Sequence, residues 1–418
     1  MRLAMSGRIT RAKLKWLRSL GQLDETRRPV YLVGGPVRDL ILGRLELDTD
    51  IAVEGDALDY ARRLAERDEA KLVEYPEFYG ATVTYADGSH VDVTASRSET
   101  YSYPGALPEV RPADITQDLR RRDFTINAIA LSLSPGSFGE PVDPYDGYRH
   151  LRQGRLQALH DKSFLDDATR ILRAARFAAR LGLRIEPATL QWINSAIADS
   201  ALATVSAQRI VTELRYMFGE PAARWALELL SEWGALDALG LDSKAAGRLP
   251  LLDNLLPAQR DLALEPEQSA ATAASLGLLM SPERLERWLA RWPLTSSEQQ
   301  AARQAAVMAH APPAVAFSTS PQSSKLYAAL QGLPATALLA GWAAGESDLR
   351  GNLKRFCRRL ASIQADVSGE DLLALGYEAG PRFKAALAAA LAAKLDQNAD
   401  RQAQLAAAAH VLQDEDKP

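Results

Sequence analysis

An apolar run near the start of this 418-residue chain, Tyr31-Leu32-Val33, breaks into Gly34-Gly35-Pro36 and continues as Val37-Arg38-Asp39. After the glycines and twelve intervening residues comes Asp48-Thr49-Asp50-Ile51-Ala52-Val53. A strand ending on two glycines lets backbone N–H groups approach a ligand closely, and Pro36 suits the first turn of a helix. A phosphate chain fits such a helix start. Arg38, one turn in, can add charge-assisted bonds to it, unless it pairs at the surface with Asp39 or Glu46. On a strand, a spacing of two turns Asp48 and Asp50 to one face and Thr49, Ile51 and Val53 to the other. Two carboxylates so placed repel unless a cation lies between them, and hard oxygen donors beside a phosphate site favour Mg2+. Asp92, between Val91 and Val93 in a later strand-like run, is a candidate third ligand on the adjacent strand. Such a set suits two-metal phosphoryl or nucleotidyl transfer. Asp-x-Asp alone is usually a solvated strand face; the glycine pair at this distance makes the pattern specific.

Composition leaves room for this chemistry. With 47% hydrophobic and 24% charged residues and a net charge of −4, the chain reads as an ordinary folded protein of two to four domains, not one that coats nucleic acid indiscriminately. The single cysteine, Cys357, excludes an intramolecular disulfide and a multi-cysteine zinc site. No apolar run is long enough to span a bilayer, and the acid-free basic stretch Arg2 to Arg18 reads as a first helix in preference to a transit peptide, so no membrane and a cytoplasmic location are expected.

Residues 28 to about 150 mix short apolar runs (Tyr31–Val33, Asp50–Val53, Ala81–Thr84, Val91–Thr94, Thr125–Leu133) with helical stretches such as Asp56–Asp68, the pattern of a mixed α+β or α/β domain. From Asp166 onward β-branched runs are scarce and apolar residues recur at helical spacing, so the remainder is expected to be nearly all helix. Pro- and Ser-rich stretches near 250–257, 312–324 and 367–369 are the expected seams.

The glycine pair and Asp-x-Asp resemble the nucleotidyltransferase superfamily that includes DNA polymerase β. Two further segments narrow the resemblance. Arg120-Arg121-Arg122-Asp123-Phe124-Thr125-Ile126-Asn127-Ala128 is similar to the Arg-Arg-Asp-Phe-Thr-x-Asn-Ala motif of class II tRNA nucleotidyltransferases and bacterial poly(A) polymerases. Asp166-Asp167-Ala168-Thr169-Arg170 resembles that family's Glu-Asp-x-x-Arg, with Asp166 in place of the usual Glu. Arg170, Arg173 and Arg176 then share a helix face, where like charges call for an anionic partner. The resemblance implies that Arg122 and Asp123 meet the triphosphate and sugar, that Asn127 belongs to the same nucleotide site, and that Asp167 and Arg170 template the incoming base. A carboxylate accepts from the amino group of cytosine or adenine while a guanidinium donates to the neighbouring ring nitrogen; uracil and guanine present the opposite pattern. Arg209 and Glu213 resemble the motif bracing that helix, although at i, i+4 an exposed ion pair serves equally. Gly369 to Pro381 looks like the family's tail element. The segment Ser98 to Pro108 matches the loop that helps relatives switch from C to A, and His160-Asp161 is read as incidental.

The expected fold is therefore an α+β nucleotidyltransferase head, a mixed sheet with helices, followed by an all-α neck, body and tail. The segments are an N-terminal helix (1–27), head (28–150), neck with the arginine helix (151–220), body (221–320) and tRNA-binding tail (321–418). The resemblance implies addition of C and/or A from CTP and ATP to the tRNA 3′ end, with the acceptor arm bound, no obligate protein partner, and Mg2+ on Asp48 and Asp50. Alternatives are a relative that adds only CC or only A, a poly(A) polymerase, a small-molecule nucleotidyltransferase, and a non-catalytic RNA-binding factor.

Overall fold

The computed structural model describes residues 10–23, 28–44, 49–100, 109–241, 243–265 and 268–413. The chain divides into two compact units, Met1–Glu213 with Leu229–Ala238, and Leu214–Glu228 with Leu239–Pro418.

The first unit is built around a seven-stranded sheet. In chain order its early elements are α1 (Arg11–Gly21), β1 (Val30–Val33), α2 (Gly35–Ile41), β2 (Thr49–Val53), α3 (Ala57–Arg67), β3 (Lys71–Tyr75), β4 (Gly80–Thr84) and β5 (His90–Ala95). A hairpin of β6 (Arg97–Thr100) and β7 (Glu109–Pro112) follows, then α4 (Ile115–Arg120), β8 (Ala130–Ser132) and β9 (Pro141–Val142). The strand order is β3-β4-β5-β2-β1-β8-β9, and β2 with β5 is the one parallel pair in that sheet. Asp56 caps α3 by accepting from the Asp59 N–H at 3.0 Å, and Tyr60, Ala61, Leu64 and Ala65 form its buried stripe. That stripe packs on the face of β2 to β5 where Ile51, Val83, Val91 and Val93 are fully buried.

The apolar run Thr125–Leu133 is strand only in part. Thr125–Asn127 forms a single 3-10 turn and only Ala130–Ser132 joins the sheet. The turn wins because the Thr125 N–H goes to Gln157 O, outside the sheet, while the Asn127 side chain turns back to Asp123.

The rest of the first unit is α5 (Gly147–Arg152), a small parallel pair of β10 (Arg155–Leu156) and β11 (Arg184–Ile185), α6 (Ser163–Asp166), the arginine-bearing α7 (Thr169–Leu181), α8 (Pro187–Ala198) and the start of α9 (Ala207–Phe218). Gly182, at φ 66°, ends α7 in the left-handed region that glycine adopts without strain.

The second unit is helical. One core gathers Leu262, Leu326, Leu339, Trp342 and Leu353, and a smaller one gathers Leu372, Ala386, Ala390 and Ala408. Within it a bidentate pair, Arg215 to Glu298 at 2.9 and 2.8 Å, joins α9 to the helix Ser296–His310. No helix among the described residues is long and apolar enough to cross a membrane.

Candidate active site

The end of β1, α2, the segment after α4 and the inner face of α7 together line a cavity of about 470 Å3. That volume is in the range that takes a nucleotide-sized ligand. Seven arginines line it (Arg38, Arg121, Arg122, Arg170, Arg173, Arg176, Arg180) against four carboxylates (Asp50, Glu99, Asp123, Asp167), so it is positively charged within a protein of net charge −4.

Gly34 sits at φ 72°, and a Cβ there would lie 2.7 Å from Arg122 Nη1 and 3.9 Å from Asp50 Oδ2. Arg122 and Asp50 both lie near Gly34, whose positive φ favours glycine there. Gly35 is different: its Cβ would meet Arg38 at an ordinary 3.5 Å. Arg38 is buried and engaged, with Nε and Nη2 donating to Asp39 at 2.9 and 2.8 Å and Nη1 donating to Asn127 Oδ1 at 2.8 Å. The pairing with Asp39 weighed from the sequence is therefore present, but inside the cavity wall and not at the surface.

Asp123 is the hub of this wall. Its Oδ1 accepts from the Phe124 N–H (2.8 Å) and Asn127 Nδ2 (3.0 Å), and its Oδ2 accepts from Arg173 Nε and Nη2 at 2.9 and 2.6 Å. Burial alone would push this carboxyl up; the Arg173 guanidinium and the Asn127 hydrogen bond reverse that and bring it down to about 2. Burial works against the Arg173 charge too, and Asp123 with Glu213 overcomes it, holding that guanidinium above its ordinary range.

The anionic partners of the arginine helix are largely internal. Arg173 Nη1 donates to Glu213 Oε1 at 3.2 Å, and Arg176 donates to Glu213 Oε2 through Nε and Nη2 at 3.3 and 3.0 Å. Phe177 packs beneath this cluster, with the guanidinium carbons of Arg38, Arg173 and Arg176 5.3, 5.2 and 4.7 Å from its ring centre. Arg170 donates through Nη1 to Ser163 Oγ (2.8 Å) and through Nη2 to Arg121 O (2.7 Å). Asp167 is gripped on both oxygens, by the Thr169 N–H and Oγ1 on Oδ1 and by Arg209 Nη2 on Oδ2 at 2.6 Å. Arg209 and Glu213, spaced for an i, i+4 pair, thus each reach across to α7 or its approach.

Asp118 was not singled out in the sequence, yet it is fully buried and holds Arg121 (2.9 Å) and Arg122 (2.9 Å). Burial would raise its carboxyl, but Arg122 and Arg121 keep it below the ordinary range. Glu99, at the cavity edge, accepts from Arg97 and Arg121 at 3.0 and 2.9 Å. The i, i+3 and i, i+4 spacing of Asp118 to Arg121 and Arg122 was a legible signal; Glu99 had none.

Asp50 lines the cavity, and Asp92 lies opposite it on the parallel neighbour β5, on the same face of the sheet but outside the cavity lining. Thr82 Oγ1 donates to Asp92 Oδ1 at 2.6 Å. Asp48 lies outside the described residues, as do positions 101–108 of the loop Ser98 to Pro108. Among the described residues no three His, Cys, Asp or Glu side chains cluster as a metal site. Asp50 nonetheless suits a hard divalent cation: an oxygen donor facing an arginine-lined, anion-attracting cavity, with Asp92 one strand away.

Fold and site together define a nucleotidyltransferase head on a helical support. Residues 30–157 match the poly A polymerase head domain family, and residues 182–243 match the family described as a probable RNA and SrmB-binding site of polymerase A. An A-adding tRNA nucleotidyltransferase of Halalkalibacterium halodurans is 33% identical over 390 residues, 92% of this chain and 88% of that protein. A CC-adding tRNA nucleotidyltransferase of Deinococcus radiodurans is 37% identical over 262 residues, 63% of this chain and 65% of that protein. A solved Thermotoga maritima CCA-adding enzyme complexed with tRNA superposes with a TM-score of 0.77 at 28% identity, covering 98% of each chain. The chain belongs to the tRNA nucleotidyltransferase and poly(A) polymerase family, and it is an enzyme of that type. The family's chemistry uses a divalent metal.

Proposed function

We propose that the protein adds C and/or A from CTP and ATP to the 3′ end of tRNA without a nucleic-acid template, in the cytoplasm. The observation that carries the reading is the one cavity lined by Gly34, Asp50, Arg122, Asp167 and Arg170. In this reading Gly34, Gly35, Arg38 and Arg122 hold the triphosphate and Asp123 with Asn127 and Arg173 shapes the sugar site. Asp167 accepts from the exocyclic amino group of cytosine or adenine, and Arg170 donates to the adjacent ring nitrogen. Arg176 shares Glu213 with Arg173 and so braces Arg173 against Asp123. The tRNA 3′-hydroxyl oxygen forms a bond to the α-phosphorus and pyrophosphate leaves.

In this reading Asp48 and Asp50 would hold Mg2+, with Asp92 as the neighbouring carboxylate, and the bound ion would supply Lewis-acid polarisation of the phosphate and a lowered pKa for the attacking hydroxyl. The helical second unit is the expected support for the acceptor arm.

Incubating the protein with CTP alone, ATP alone and both, on tRNA lacking CCA, tRNA lacking only the terminal A, and a generic RNA, tests the reading and separates full CCA addition from CC addition, A addition and poly(A) synthesis. Asp48→Ala with Asp50→Ala abolishes incorporation; unchanged incorporation overturns it.

A further inference from the structure

We propose that the open face of the head sheet, at its β3 edge, is a stacking platform for the single-stranded 3′ end of the RNA that receives the nucleotide. The inference rests on the function proposed above and adds the path by which the nucleophile arrives. The sheet has two unlike faces on the β3 side. One is closed by α3 over Val83, Val91 and Val93, all fully buried. The other carries a row of register partners running from the edge to the reactive carboxylates: Val73 pairs with Thr82, Thr82 with Asp92, and Asp92 with Asp50.

Direction follows from the lining of the cavity. Asp50 faces the nucleotide cavity whereas Asp92, one strand further out, does not. With the nucleotide in place, the hydroxyl that attacks it has the β5 side as its approach. Three inter-strand spacings of ~4.8 Å separate Asp50 from Val73, and stacked nucleotides rise by ~3.4 Å, so a strand ending at the carboxylates reaches the edge within about four nucleotides.

Side chains suited to bases wait at that edge. Val73, Tyr75, Phe78 and Tyr79 are 50%, 43%, 52% and 41% exposed, four large apolar groups within seven residues. Val73 and Tyr75 alternate with the half-buried Leu72 and Glu74, which places them on the open face with Thr82. Exposed aromatic rings bind single strands by stacking on base faces, with little dependence on sequence. Lys71, exposed at the far end of β3, adds positive charge for the phosphates.

The platform is stiff. Arg97 Nη1 donates to Phe78 O at 2.6 Å, the Ala95 N–H donates to Tyr79 O at 2.9 Å, and Tyr79 is held at φ 52°, where bulky residues rarely lie. A protein partner also favours exposed apolar groups, but the uninterrupted row into Asp92 and Asp50 favours the RNA end.

The test uses Tyr75→Ala/Phe78→Ala and the aromatic-conserving Tyr75→Trp/Phe78→Tyr in the full chain. One assay is nucleotide addition; the other is fluorescence of an RNA carrying 2-aminopurine near its 3′ end. The expected result is a rise of about tenfold in KM for the RNA, unchanged KM for CTP and ATP, and lost 2-aminopurine quenching in the alanine variant, with the conserving variant close to the parent. Unchanged KM for RNA and unchanged quenching overturn the platform, as does a fall in molar mass in solution with RNA kinetics intact, which assigns the patch to self-association. If the parent protein itself incorporates no nucleotide into any RNA, the proposed function fails, an outcome distinct from failure of the platform alone.

Discussion

Arg209 Nη2 donates to Asp167 Oδ2 at 2.6 Å, joining α9 to the approach of α7 across 42 positions of chain. The Thr169 N–H and Oγ1 fix the other oxygen, so the carboxylate enters the cavity already oriented. If Asp167 reads the amino group of C or A, releasing it costs selectivity more than turnover. Arg209→Ala is expected to lower discrimination against UTP and GTP by about tenfold, the loss of one charge-assisted hydrogen bond's orientation. Competition between labelled nucleotides measures it; Arg209→Lys is expected to restore part of the selectivity.

Glu213 serves two arginines at once, Arg173 at 3.2 Å and Arg176 at 3.0 Å, and is nearly fully buried. Glu213→Gln removes the negative charge that Arg173 and Arg176 share, while Arg173 keeps its pairing with Asp123. The expected destabilisation is about 3 kcal/mol, read from denaturant unfolding followed by a probe in the first unit.

The two glycines of the opening motif are expected to respond differently. Gly34→Ala introduces a methyl group 2.7 Å from Arg122 at a positive φ, whereas at Gly35 the nearest atom lies at 3.5 Å. Strain of about 1–3 kcal/mol corresponds to a fall of about five- to 150-fold in kcat/KM for Gly34→Ala, and Gly35→Ala is expected to stay within about threefold on steric grounds. Steady-state kinetics on both variants checks the contrast.

Asp123 gives the first unit a defined acid response. Its carboxyl lies at about 2 in the folded protein against an ordinary 3.8. A lowered folded value means the stabilisation is complete above pH ~4 and is lost as pH falls from there towards 2, a change worth about 2 kcal/mol. Unfolding free energies measured down that range should show the slope in the parent, and Asp123→Asn should flatten it.

Much of this site was legible because its residues are close in sequence. The Arg-Arg-Asp run and the three-residue recurrence of arginines are local patterns that reappear in the cavity wall and along α7, and Asp50 lies on β2. The α+β-to-helical division was readable for the same reason. What escaped was set by distant pairing. Nothing near Arg173 announces that Asp123, 50 positions away, and Glu213, 40 positions away, neutralise it. Edge strand β3 was missed because Lys71 to Tyr75 exposes one face of side chains in place of burying it. Thr125–Leu133 looked like a strand because its apolar pattern does not record that Asn127 is needed at Asp123.

The parallel pairing of β2 with β5 also orders events while the chain is being made. Asp50 meets Asp92 only after the intervening α3, β3 and β4 have emerged and folded back, so a nascent chain ending before Ala95 cannot complete that pair of strands. The arginine wall closes later still, when Glu213 becomes available to Arg173 and Arg176. A chain ending before Glu213 therefore lacks the carboxylate that Arg173 and Arg176 share in the cavity wall.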